Sequence, residues 1–128
     1  RLKNSYTIWN YAKSIDGLVA PIIPEYIDHA AYKCNLLIEE NALKTNWSRD
    51  RVIDEINKKG IPCFSGPCPE IYNEKAFDLT DLRPKKPLLN AKFVGQNSLM
   101  FNVHPTLGSS HINKTIDILN DIFHKAKR

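Results

Sequence analysis

The stretch Ser98-Leu99-Met100-Phe101-Asn102-Val103-His104-Pro105, with the run from Ser109 to Ala126 that follows it, decides the fold. Leu99, Phe101 and Val103 alternate with Met100 and Asn102, the two-residue period of a strand that buries one face. His104-Pro105 stops that strand, because proline cannot donate to a ladder. Ser109 or Ser110 then stands where a helix cap belongs, and Ile112, Ile116, Leu119, Phe123 and Ala126 recur at helical spacing. This end of the chain therefore reads as a strand feeding a long amphipathic helix.

Working outward, Leu2, Tyr6, Trp9 and Lys13 follow helical spacing from the first residues. No capping residue precedes them, so the chain is expected to begin inside an element, with more polypeptide upstream. That helix is predicted to end near Ser14, ahead of Asp16-Gly17, and Pro21-Ile22-Ile23-Pro24 forces an extended crossing. Ala31 to Glu40 alternates, Tyr32, Cys34, Leu36 and Ile38 on one side, and is predicted to be a strand. Ser48 caps a helix from Arg49 to Lys59 whose stripe is Val52, Ile53 and Ile56, closed by Gly60. Ile61 to Phe64 is short and extended, Ser65-Gly66-Pro67-Cys68-Pro69 is a loop, and a short helix is expected from Glu70 to Phe77. Arg83-Pro84-Lys85-Lys86-Pro87 reads as an exposed connection, followed by a helical turn from Leu88 to Val94. The order implies an α+β two-layer domain: a short, mostly antiparallel sheet of three or four strands, covered on one face by helices.

The chain of 128 residues has the size of one domain. Its 42% hydrophobic and 25% charged residues match a globular rather than a disordered protein. No apolar run approaches the roughly 20 residues of a membrane-spanning helix. A net charge of +4 permits contact with phosphates but does not require it, since the excess gathers at Lys85-Lys86 and at the helix end Lys125, Lys127 and Arg128. Three cysteines, Cys34, Cys63 and Cys68, make an odd and sparse set, read as free thiols in a reducing cytoplasm.

Familiar catalytic arrangements are scarce. Cys63 and Cys68 are too far apart for a zinc knuckle, and His29, His104, His111 and His124 lack the spacing that puts two imidazoles on one helix face. The five glycines form no phosphate-cradling pattern. A thiol nucleophile would need Cys63 or Cys68 beside His104, which requires the strand ending at His104 to finish near the Ser65 loop.

Two segments carry a resemblance. One runs Gly60-Ile61-Pro62-Cys63-Phe64-Ser65-Gly66-Pro67-Cys68-Pro69-Glu70-Ile71-Tyr72-Asn73-Glu74-Lys75-Ala76-Phe77, and the other runs Asn97 to Leu107, ending in His104-Pro105-Thr106-Leu107 before the final helix. With the Arg49–Lys59 helix ahead of them, they resemble the C-terminal small domain of the DegT/StrS family of pyridoxal-phosphate-dependent sugar aminotransferases, over nearly the whole chain. Many relatives carry a Tyr-Pro-x-Pro-Leu-His type loop here. In this sequence Tyr72 replaces the family histidine, so the contacts assigned to that histidine do not carry over. The version here more closely resembles a subgroup acting on nucleotide-linked amino-dideoxy sugars in surface polysaccharide synthesis.

The resemblance implies the C-terminal domain, residues 1–128, of a fold-type I aminotransferase whose large domain lies outside this chain. The full protein would move an amino group, commonly from glutamate, to a nucleotide-linked keto sugar, as a cytoplasmic homodimer with no nucleic-acid or membrane partner. Pyridoxal phosphate and the lysine that binds it would belong to the large domain, leaving this piece inert alone and without catalytic, cofactor-binding or metal-binding residues. Its contribution would be to close over the substrate, with Phe64, Ser65, Cys68, Tyr72 and His104 as substrate-binding residues. Each also has a plain structural reading: ring packing for Phe64 and Tyr72, a turn hydrogen bond for Ser65, a small buried thiol for Cys68 and a turn cap for His104. Two other readings compete, a freestanding basic α+β domain that binds nucleic acid through its sheet and a small interaction domain. The first would need exposed aromatics along the strands, and Phe101 is expected to face the core.

Overall fold

The computed structural model describes residues 1–39, 41–66 and 68–128. Helix α1 (Leu2–Ala12) leads to β1 (Leu18–Val19), β2 (Cys34–Ile38), α2 (Arg49–Lys58) and β3 (Cys63–Phe64). Two single 3-10 turns, Ile71–Asn73 and Lys75–Phe77, precede α3 (Leu89–Asn97), β4 (Ser98–Phe101) and α4 (Ser109–Ala126). The four strands order as β1-β2-β4-β3, every pair antiparallel. This is the expected α+β two-layer domain.

The register assigns every strand residue to a face. Leu36 opposes Leu99, while Cys34 and Cys63 flank Phe101 from either side; all five are buried. Helices α1, α2 and α4 seal this inner face, with Ile8, Val52, Ile56, Leu119 and Phe123 in the core. The α4 stripe Ile112, Ile116, Leu119, Phe123 and Ala126 is buried as predicted. Ser48 caps α2 as expected, its hydroxyl accepting the Arg51 amide at 3.1 Å.

Several boundaries and faces differ from the prediction. Helix α1 buries Ser5, Ile8, Trp9 and Ala12 rather than a stripe through Leu2 and Tyr6, which are exposed. A stripe drawn through Trp9 can lean either way, and α4 and β2 pull it toward Ile8. Strand β2 begins at Cys34, not Ala31, because Ala31 has φ +46° and cannot extend the ladder; Tyr32 is consequently 71% exposed. Its predicted end at Glu40 lies outside the described residues. The cap of α4 is Gly108, with Ser109 and Ser110 already in the first turn and no side-chain cap bond. The short helix at Glu70–Phe77 is two 3-10 turns, and the turn at Leu88–Val94 is a full helix passing directly into β4. Strand β1 was not expected at all. Gly17, with φ +88°, turns the chain back so that Leu18 and Val19 pair with Ile38 and Leu37.

Candidate functional site

The face of the sheet turned away from α1, α2 and α4 carries the complementary set of side chains. Val19, Leu37 and Ser98 form one row across it, and Asn35, Met100 and Phe64 form the next. Above the first row stand Pro69 from the Ser65–Pro69 loop and Val94 from α3, with Pro21 at the edge, enclosing a cleft of about 320 Å³. Among the described residues that line it, Asn35 and Ser98 carry the polar side chains. A second, more open cleft of about 680 Å³ lies beside it, bounded by residues 27–33, Asn35, Gly66 and Met100. Leu37 was the signal in the sequence: a leucine in the outward phase of a strand marks a sheet face that is not simply washed by solvent.

The loop over the first cleft is held from three directions. Gly66 takes φ +87°, and Ser98 Oγ donates to the Ser65 carbonyl beneath it. Pro69 rests on Gly95 of α3 so closely that a β-carbon there would lie 2.1 Å from Pro69 Cγ. The Tyr72 hydroxyl donates to Glu70 Oε1 at 2.6 Å and accepts from the Leu88 amide at 3.1 Å. The hydrogen bond to the Glu70 carboxylate holds the phenol proton on, raising the Tyr72 pKa above its ordinary value. Cys68 is exposed, and its thiol donates to Glu74 Oε1 at 3.3 Å, which likewise raises its pKa.

The five residues expected to bind substrate do not form one cluster. Phe64, Ser65, Cys68 and Tyr72 share the loop region: Phe64 is exposed on the outer face, Ser65 is engaged through its carbonyl, and Tyr72 is half-buried with its hydroxyl committed. Cys68 is not the small buried thiol of its structural reading. His104 lies six residues beyond Ser98 along the β4 direction, up to about 20 Å at a strand's rise per residue. Its Nδ1 pairs with Thr106 Oγ1 at 2.6 Å, and its carbonyl accepts the Leu107 amide at 3.0 Å, so it caps the turn. The pairing of His104 with Cys63 or Cys68 that a thiol nucleophile needs is absent from the hydrogen bonds of the described residues. The two buried thiols, Cys34 and Cys63, are pushed up to about 12 by burial.

Comparison with solved structures follows this geometry. The aminotransferase from Psychrobacter cryohalolentis superposes on 97% of this chain with a TM-score of 0.89 and 40% sequence identity, the match covering 33% of that chain. The fold is that of an aminotransferase domain. The aminotransferase TlmJ from Streptoalloteichus hindustanus matches 97% of the chain with a TM-score of 0.79 at 14% identity, over 31% of its own length. A DegT DnrJ EryC1 StrS aminotransferase from Brucella abortus matches 95% with a TM-score of 0.72 at 17% identity, over 31% of its length. The chain thus spans about a third of the solved chains it matches. No protein-family model matches the sequence, and no curated protein does either. Among the described residues no helix is long and apolar enough to cross a membrane.

Proposed function

We propose that this chain is the C-terminal small domain of a pyridoxal-phosphate-dependent sugar-nucleotide aminotransferase of the DegT/StrS kind. The observation that carries the reading is the 40% identity to the Psychrobacter cryohalolentis aminotransferase, sustained over 97% of the chain at a TM-score of 0.89. The full protein would transfer an amino group from glutamate to a nucleotide-linked keto sugar, yielding 2-oxoglutarate and an amino sugar for surface polysaccharide synthesis. It would do so as a cytoplasmic homodimer.

The residues of this chain do not fit pyridoxal phosphate. The apolar cleft is lined without a lysine and without a cation for the phosphate. Every lysine is exposed or half-buried; Lys33, at the second cleft, donates to Asn102 Oδ1 at 2.5 Å. In this reading the cofactor site would belong to a large domain outside this chain. This chain's part is the wall: Phe64 on the open sheet face, Ser65 and Cys68 in the loop, and the apolar groove that would exclude water once a second body closes over it.

Extending the reading frame upstream of Arg1 and assaying the full protein tests this. Glutamate-dependent amination of UDP- or dTDP-linked 4-keto-6-deoxyhexoses, with 2-oxoglutarate formed in equal amount, is the expected result. A full protein that binds no cofactor and aminates no keto sugar would overturn it.

A further inference from the structure

We propose that Tyr72 is a positioning residue: it clamps the start of α3 to the loop carrying Pro69 and thereby sets the width of the apolar cleft. The inference deepens the function proposed above, on which it rests in taking that cleft as the part of the wall that meets the sugar substrate.

The bonding capacity of the phenol comes first. Its single proton goes to Glu70 Oε1 at 2.6 Å, and its oxygen accepts the Leu88 amide at 3.1 Å. A hydroxyl so engaged has no donor left for a ligand, so Tyr72 acts on the site through its partners. Those partners are the neighbours of the two cleft walls. Glu70 follows Pro69, which forms the loop wall, and Leu88 precedes α3, which carries Val94 as the opposite wall.

Helix α3 depends on such an anchor, because none of its residues is buried and Leu89 is 75% exposed. Its C-terminal end is held twice over. Arg49 Nη1 donates to the Gly95 carbonyl at 3.0 Å and the Ser98 carbonyl at 3.3 Å, and Pro69 seats on Gly95. At the N-terminal end, the Tyr72 hydroxyl is the side-chain tie among the described residues. Removing it frees one end of one wall while leaving the inner core untouched.

The test uses the full protein with Tyr72→Phe, Glu70→Ala and Glu70→Gln, the last retaining an oxygen acceptor for the phenol. Steady-state kinetics with the UDP- and dTDP-linked 4-keto-6-deoxyhexoses are paired with hydrogen exchange of the Leu88–Phe93 amides. Tyr72→Phe and Glu70→Ala should raise the sugar KM about three- to tenfold and quicken that exchange by a similar factor. Turnover at saturation and the glutamate half-reaction should not change. Glu70→Gln should fall nearer the wild type than either.

Quickened exchange with an unchanged sugar KM would overturn the proposal, as would no change in either. A fall in saturated turnover at constant KM would place the hydroxyl at the reacting groups and also overturn it. If Tyr72→Phe loses the fold altogether, the contrast between Glu70→Ala and Glu70→Gln decides: equal behaviour sinks the clamp. Wild-type protein without any amino transfer refutes the function proposed above by itself. The exchange arm then decides the clamp alone, quickening upholding it and its absence overturning it.

Discussion

At the residue scale the cysteines separate into two chemical kinds. Cys34 and Cys63 face the core beside Phe101, where burial raises both pKa values to about 12; Cys68 is exposed but its thiol proton is held by Glu74. Native protein should therefore release one thiol per chain to an aromatic disulfide reagent, and denatured protein three. Labelling of Cys68 should speed up as pH rises past the ordinary thiol range. Glu74→Gln, which removes the carboxylate that favours the neutral thiol, should bring that rise to lower pH. The buried pair also makes stability depend on alkali. Above the ordinary value of 9.0 an unfolded chain sheds thiol protons that the folded chain keeps until about 12, so the protein should lose stability as pH climbs through that window. Denaturant melts of wild type and of Cys34→Ala with Cys63→Ala between pH 8 and pH 11 check this, the variant losing the cysteine share of the slope. The sequence showed three free thiols, but could not sort them, because which face Cys68 takes depends on the loop rather than on any period.

Periodicity was legible at the element scale wherever one face of an element is fully sealed. Helix α4, helix α2 and strand β4 bury Leu119, Val52 and Leu99, and a 3.6- or 2-residue repeat reports such burial directly. Legibility failed where a conformation is imposed from outside the element. The positive φ of Ala31 cut β2 short, and Gly17 created β1 from two residues that no pattern could flag. Helix α3 was underestimated because its residues face neither a core nor open water alone. Two substitutions examine the elements. Ser48→Ala should cost about 1 kcal/mol in denaturant melts through loss of the α2 cap. Gly95→Ala gains about 1 kcal/mol of helix propensity, yet puts a methyl 2.1 Å from Pro69 Cγ, and the overpacking term of about 1 to 3 kcal/mol should win. Adding Pro69→Ala should recover part of that loss, a non-additivity that a double-mutant cycle measures.

At the scale of the whole molecule, the sheet is finished on one side and open on the other. The inner face is closed by three helices, while the outer face bears Val19, Leu37, Phe64 and Met100 under a partial roof of Pro69 and Val94. Resemblance carried the sequence reading to a domain of an aminotransferase, and the solved structures agree on that fold. The site was less legible, since Phe64 pairs opposite Met100 on β4 while His104 caps a turn beyond that strand, a separation that spacing along the sequence does not reveal. The chain alone should hold no pyridoxal phosphate. After incubation and dialysis it should retain no stoichiometric visible absorbance, and borohydride should label scattered surface lysines rather than one; a single labelled lysine would contradict the assignment of the cofactor to another domain.

The absence of a loop between α3 and β4 has a mechanical consequence. Nine helical residues, about 13 Å long, project from a central strand like a beam built into a wall, with Arg49 as the bracket at its root. A tilt of about 10° at that root would displace the tip near Leu89, which the Tyr72 hydroxyl pins through the Leu88 amide, by about 2 Å, and would move Val94, closer to the root, by less. Deflection is thus greatest where the helix is most exposed and smallest over the cleft floor, so a body pressing on the tip has leverage over the mouth of the groove without disturbing the strand beneath it.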